Sequence, residues 1–337
     1  MNNLGSCLVI GGSGMLGFEI VRQLAADGTR VRVLDLQPLP DEAPGVDARI
    51  GDIRRRDDVL AACQGMDTVF LIAAAVWDVR TPRKVYEEVN VRGTANAIEA
   101  CRRHGITRLV YTSSMDVVVD GRKPIVDGDE SLPYPARMPR DHYSRTKIIA
   151  EKMVLSASDD RLGTCAVRPA GMYGPRDRYH LGNIIGMARR GVSMRLGDGS
   201  ARFSHVYSEN AAHAHVLAAR HLGPGSAAAG QAYFVCDHFP AENLFDFMEK
   251  FLAVLDLPIP RRSISYPLAY WLAAAAEIVA PRSNFNRFAV VQTCVDHTFV
   301  HGKAERELGY RPIVSRETAF ERSLAWLRNG AFPPAAR

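Results

Sequence analysis

The chain has 337 residues, 47% of them hydrophobic, and a formal net charge of +5. That length can bury a large core in one domain or two. Lysines, arginines and acids are interspersed rather than blocked, which argues against a nucleic-acid surface. Cys7, Cys63, Cys101, Cys165, Cys236 and Cys294 are scattered without a CxxC pair and read as small buried hydrophobes in a reducing compartment. The N-terminus lacks a basic stretch followed by a long apolar run, so no signal peptide is expected and the predicted location is cytoplasmic.

In chain order, Leu8-Val9-Ile10 reads as a short buried strand, and Leu16, Ile20, Val21 and Leu24 recur at helical spacing. Between them lies "GGSGMLG", with Gly11, Gly14 and Gly17 at every third position. Glycine allows close approach to the main chain, and free N–H groups at a helix start attract anions. The loop containing Gly11, Gly14, Met15, Leu16 and Gly17 is therefore a predicted pyrophosphate cradle, against the plainer reading of an ordinary glycine turn.

"RVRVLDLQ" predicts a second strand ending at Asp35, which follows Gly14 by 21 residues. That is close to the spacing of an acid that accepts both ribose hydroxyls of an adenosine and repels a 2'-phosphate, which favours NAD over NADP. The alternative is an acid that caps the strand. "ARIGDI", "TVFLIAAAV", "RLVYTSS" and "TCAVRPAGMYG" then alternate with helix-like segments such as Asn90 to Gly105, a pattern that predicts a parallel sheet covered on both faces.

Chemistry-bearing residues follow "RLVYTSS". Ser113 and Ser114 precede Tyr143 and Lys147, which are four apart in "YSRTK" and share a helix face. A phenol titrates near 10 in isolation, too high for a base at neutral pH. A nearby ammonium and an oxidised nicotinamide would each favour the phenolate. Tyr143 is then the expected base, Lys147 the residue that lowers its pKa, and a serine hydroxyl the group that holds the alcohol oxygen.

His213, His215 and His221 lie close in "HAHVLAARH", but helical spacing does not converge them and no cysteine or acid completes a set, so no metal is expected. "YPLAYWLAAAAEIVA", Tyr266 to Ala280, spans 15 residues and contains Glu277, short of the roughly 20 needed to cross a bilayer. It predicts a helix of the substrate-binding part, with Tyr266, Tyr270 and Trp271 supplying an apolar wall. An interfacial helix touching a membrane is the alternative.

"GGSGMLG", "GDI", "LIAAAV", "NVRGT", "YTSSMDV", "YSRTK" and "VRPAGMYGP", in this order, resemble the extended short-chain dehydrogenase/reductase family. "YTSSMDV", "SENAAHAHVLAA" and "KAERELGYRP" most resemble its 3β-hydroxysteroid dehydrogenase branch, including the sterol-4α-carboxylate 3-dehydrogenases. The resemblance implies Ser114 as catalytic serine, with Ser113 as the alternative one position away, Tyr143 as base, and Lys147 also binding the nicotinamide ribose. It places Asp52 and Ile53 along the adenine, Ala73 and Ala74 along the cofactor backbone, and Pro169 beside the nicotinamide. Asn90 matches the family's asparagine, with a role in anchoring its helix equally open.

Nucleotide-sugar relatives carry an Arg-Asp pair before their "HV" run, whereas "ARFSHVYSEN" has Arg202 followed by Phe203, which weakens a sugar-nucleotide reading. The expected architecture is a doubly wound Rossmann-type α/β domain, residues 1–174 with about 201–239 returning to it. A smaller, mostly helical substrate region is expected over 175–200 and 240–330. The expected function is NAD-dependent oxidoreduction of a secondary alcohol on a bulky apolar scaffold, with a 3β-hydroxysteroid leading. If that substrate bears a 4-carboxylate, oxidation gives a β-keto acid that loses carbon dioxide. A homodimer is expected. A nucleotide-sugar epimerase or dehydratase and a non-catalytic NAD(H)-sensing protein are the alternatives.

Overall fold

The computed structural model describes residues 3–40, 43, 45–121, 123–191, 194–237, 240–280, 283 and 285–329. The expected substrate region reaches residues 192, 193, 281, 282, 284 and 330, and the segment expected to return to the sheet reaches 238 and 239. These lie outside the described residues.

Seven strands form a wholly parallel sheet. They are β1 (Cys7–Ile10), β2 (Val31–Asp35), β3 (Asp47–Ile50), β4 (Thr68–Leu71), β5 (Arg108–Thr112), β6 (Gly163–Pro169) and β7 (Ala232–Val235), in the order 3-2-1-4-5-6-7. The order reverses between β1 and β4, and in such sheets the crevice at that switch point is where ligands sit.

The short apolar runs are strands because both their faces are buried. Alternate side chains point to opposite sides, so Leu8 and Ile10 of β1 enter one core while Cys7 and Val9 enter the other. The first face is covered by α2 (Arg56–Cys63), α3 (Gly93–Arg103) and α4 (His142–Ser156); the second by α1 (Met15–Ala26) and the helix Ser208–His221.

A separate apolar cluster joins α5 (His180–Arg189), α6 (Leu244–Val254) and α9 (Arg316–Arg328) through Leu181, Ile185, Phe247, Phe251 and Leu324. Beside it, α7 (Tyr266–Val279) packs on α8 (Arg287–Cys294) through Ala269, Ala273 and Val290. This part is less purely helical than its sequence suggests. A mixed four-stranded sheet of Glu242–Asn243, Arg202–Phe203, His297–Phe299 and Ile125–Gly128 runs through it. Such two- to four-residue strands carry too few alternations to be read from periodicity.

The glycine loop is tightly constrained. Gly11 has φ +94°, and a Cβ there would stand 2.5 Å from the Ala73 amide nitrogen. A Cβ on Gly17 would stand 2.0 Å from the Gly11 carbonyl oxygen, so only glycine lets α1 rest on the loop that begins it. At Gly14, with φ −75°, a Cβ would meet only that oxygen, at 3.6 Å. Gly17→Ala is expected to lose about 1–3 kcal/mol in urea unfolding, as overpacked sites do, whereas Gly14→Ala should lose less than about 1 kcal/mol.

Candidate active site

A cleft of about 1010 Å³ opens at the carboxyl ends of the strands, over the switch point. Gly11, Gly14, Met15, Leu16, Gly17 and Asp35 line one end of it. Asp52, Ile53, Ala73 and Ala74 flank it, and Ser114, Tyr143, Lys147 and Pro169 line the other end. Every residue singled out in the sequence for catalysis or cofactor contact thus meets the same space.

At the glycine end, the open side of Gly14 and the N-terminus of α1 make a cradle with room for an anion. Asp35 leaves β2 beside it. Its carboxylate accepts from the backbone N–H groups of Ser13 and Gln37, each at 3.0 Å, and an ionised carboxylate has acceptor capacity beyond two bonds. Asp52 is gripped by Arg54, whose guanidinium holds its carboxyl below the usual carboxylate range. Ile53 is buried against Gly93. The set fits a dinucleotide: a phosphate cradle, a ribose acceptor and an apolar flank.

At the other end, β5 turns into a short 3₁₀ segment, Met115–Val117. Ser114 Oγ accepts from the Asp116 N–H at 3.2 Å and donates to Asp116 Oδ2 at 2.8 Å, and it lies near enough to the Tyr143 phenol to favour its ionised form. Ser113 Oγ is buried with no hydrogen bond among the described residues, while its N–H donates to the Val167 carbonyl at 2.7 Å. Tyr143 sits in the first turn of α4, whose start is capped by Asp141 accepting from the Ser144 N–H at 2.7 Å.

Lys147, one turn on, does not reach for the phenol in the way its spacing suggests. Its Nζ donates to the Thr112 carbonyl at 2.6 Å and lies 4.2 Å from the centre of the Tyr111 ring. Burial governs both groups: it raises the Tyr143 phenol above its ordinary value and lowers Lys147 to about 7.

Buried polar pairs fix this corner, and sequence spacing does not reveal them. Asn90 lies in a π-helical turn, a device common at functional sites. It accepts from the Ala75 N–H at 2.7 Å and donates to the Ala75 carbonyl at 3.1 Å and to Thr146 Oγ1 at 3.0 Å. The asparagine thereby staples the loop after β4 to α4. Glu151 of α4 is fully buried and paired with Arg168 of β6 at 2.7 Å. His215 is held between Thr112 Oγ1 at 2.8 Å and the Ala211 carbonyl at 2.7 Å, and burial drives it down to about 4, a neutral core imidazole.

The distal wall differs from expectation. Tyr266, Tyr270 and Trp271 do not line the cleft, because α7 turns Ala269 and Ala273 inward and leaves Trp271 72% exposed. The lining comes from α8, through Phe288, Ala289 and Gln292, with Trp77 stacked near Phe288 at 5.5 Å. Arg202 is exposed; its neighbour Phe203 faces the cleft.

A doubly wound sheet with a serine, tyrosine and lysine at its crest defines an extended short-chain dehydrogenase/reductase. More specifically, the chain belongs to the 3-beta hydroxysteroid dehydrogenase/isomerase family, whose model matches residues 8–268. It is 39% identical to short-chain dehydrogenase/reductase family 42E member 1 of Bos taurus, over 90% of this chain and 83% of that protein. It is 35% identical to the decarboxylating sterol-4-alpha-carboxylate 3-dehydrogenase of Mus musculus, over 94% of this chain and 90% of that one. With the 3 beta-hydroxysteroid dehydrogenase/Delta 5→4-isomerase of Mycobacterium tuberculosis it shares 36% identity, over 96% and 90%. Among solved structures, dTDP-glucose 4,6-dehydratase DesIV of Streptomyces venezuelae, with NAD and TYD bound, has the same fold at TM-score 0.76 and 23% identity, covering 98% of this chain and 99% of that one.

Removing one partner of a buried ion pair leaves the other uncompensated, at a cost of about 3–5 kcal/mol. Glu151→Gln, which strands Arg168, should therefore lower unfolding stability by about that amount in urea titrations. Replacing an exposed acid such as Asp160 should stay within about 0.5 kcal/mol.

Proposed function

We propose that the chain is an NAD-dependent oxidoreductase that interconverts a 3β-hydroxysteroid and its 3-ketone through Ser114, Tyr143 and Lys147. The observation that carries this reading is that Ser114, Tyr143 and Lys147 line the same cleft as the glycine cradle and Asp35, closed on the far side by Trp77 and Phe288. Family membership supports the chemistry. The apolar wall of Trp77, Phe203 and Phe288 suits a steroid scaffold. On this assignment, residues 1–174 with 201–239 hold the cofactor, and 175–200 with 240–330 hold the substrate.

NAD, when bound, supplies the hydride acceptor and a positive charge beside the phenol. The residues do the rest. Tyr143 takes the hydroxyl proton as the carbinol is oxidised, and Ser114 turns its hydroxyl onto the same oxygen to hold it. Lys147, fixed by the Thr112 carbonyl, keeps a cation on the face of α4 that carries Tyr143. Burial alone disfavours the phenolate, so the base forms only where positive charge is added.

The exposed face of α7 supports a second element of the reading, contact with a lipid surface that stores the apolar substrate. Leu268, Trp271, Leu272, Ile278 and Val279 are all exposed and fall on one stripe at helical spacing. Among the described residues no helix is long and apolar enough to cross a membrane. Co-sedimentation with anionic vesicles should be lost in a Trp271→Glu/Leu272→Glu variant that keeps its activity on detergent-dispersed sterol. Vesicle binding unchanged by the variant would remove the lipid contact.

Turnover is tested by screening purified protein with NAD against 3β-hydroxysteroids and UDP-sugars, read at the absorbance of reduced nicotinamide. Steroid oxidation is expected; conversion of a UDP-sugar with no steroid oxidised would replace the reading with an epimerase or dehydratase. Tyr143→Phe should lower kcat by about 10²–10⁴ with NAD affinity nearly unchanged. Asp35→Ala should narrow a wild-type preference for NAD over NADP by relieving repulsion of the 2'-phosphate, and a wild type that prefers NADP would contradict the role of Asp35.

A further inference from the structure

Beside the reacting serine lies a pair of side chains that the proposed chemistry does not use. Asp116 follows Ser114 by two residues and lines the cleft. One of its oxygens accepts from Ser114 Oγ at 2.8 Å, and the other accepts from Gln292 Nε2 of α8 at 2.6 Å. The remaining polar atom of Gln292, its Oε1, is buried with no hydrogen bond among the described residues. The groups that act on the Asp116 carboxyl are Ser114, Gln292 and the carboxylate of Asp141, with no cation among them.

The side of the corner that Asp116 occupies is therefore rich in acceptors. It becomes more so during the reaction. When Ser114 turns its single proton onto the substrate oxygen, it withdraws the bond it gives Asp116, and one carboxylate oxygen loses a partner. Burial raises the Asp116 carboxyl only to about 6, so it is charged at neutral pH. A second anion beside it either meets that charge or requires Asp116 to take up a proton, which for a carboxyl near 6 at neutral pH costs about tenfold in binding.

We propose that Asp116 and Gln292 exclude a carboxylate from the carbon next to the reacting carbinol, so that the substrate is a 3β-hydroxysteroid with no acid at its 4-position. This rests on the steroid oxidoreductase reading and narrows it. Gln292 comes from the helix that walls the substrate end, so the discrimination is built jointly by the catalytic strand and the substrate-side helix.

The test compares kcat/KM for a 3β-hydroxysterol and its 4α-carboxylate, with NAD, in the wild type and in Asp116→Asn, which keeps the shape and removes the charge. The wild type should favour the neutral sterol by about tenfold. The variant should bring the two within about threefold, mainly by raising the value for the acid. Asp116→Ser, which removes the charge with a smaller side chain, should also bring the two values together and serves if Asp116→Asn does not fold. A wild type that uses the acid as well as the neutral sterol, or a ratio unmoved by the substitutions, overturns this inference and leaves the oxidoreductase standing. Oxidation of neither sterol by protein that still binds NAD overturns the steroid reading and the inference with it.

Discussion

The arrangement depends on one close approach, the seating of α1 on the loop that precedes it. Gly17 lies where a Cβ would be 2.0 Å from the Gly11 carbonyl oxygen. The loop itself is pinned from both neighbours: the Gly11 N–H donates to the Leu34 carbonyl of β2 at 2.8 Å, and the Ala73 N–H beyond β4 donates to the Ile10 carbonyl at 2.8 Å. Together these contacts hold a helix N-terminus, with its unpaired N–H groups, at the point where the strand order reverses. The crevice is therefore built from backbone, and the side chains that give it chemistry are delivered from β5 and α4 at its other end.

That second end is governed by desolvation. The charges of Tyr143, Lys147, Asp116 and Arg168 are set first by burial and then by neighbours. The Glu151–Arg168 pair fixes α4 to β6, Asn90 fixes it to the loop after β4, and Lys147 fixes it to the end of β5. Three attachments to separate segments of the sheet's crest hold the phenol in place. Preorganisation of this kind is what a proton transfer at a defined atom requires.

Much of this was legible in the sequence, for identifiable reasons. Strands buried on both faces are nearly continuous apolar runs, the glycine loop has a fixed spacing, and Tyr143 and Lys147 lie within a single helical turn; each is a local pattern. What stayed hidden is non-local. Gln292 meets Asp116 across 176 positions, and Arg168 meets Glu151 between a strand and a helix. The segment Tyr266 to Ala280 misled because it is apolar on nearly all sides, so composition could not say that its alanines face inward and its tryptophan outward. The Thr112 carbonyl that Lys147 Nζ meets, 35 positions away, is likewise invisible to spacing.

The central claim, that this cleft oxidises the 3-carbinol of a steroid by passing its hydrogen to a nicotinamide, is tested most directly by following that hydrogen. A 3β-hydroxysteroid carrying deuterium on carbon 3 is incubated with the protein and NAD, and both products are weighed by mass spectrometry. The account predicts one deuterium in the reduced nicotinamide and none at carbon 3 of the ketone. A steroid that keeps its deuterium, with NAD unreduced, would contradict it.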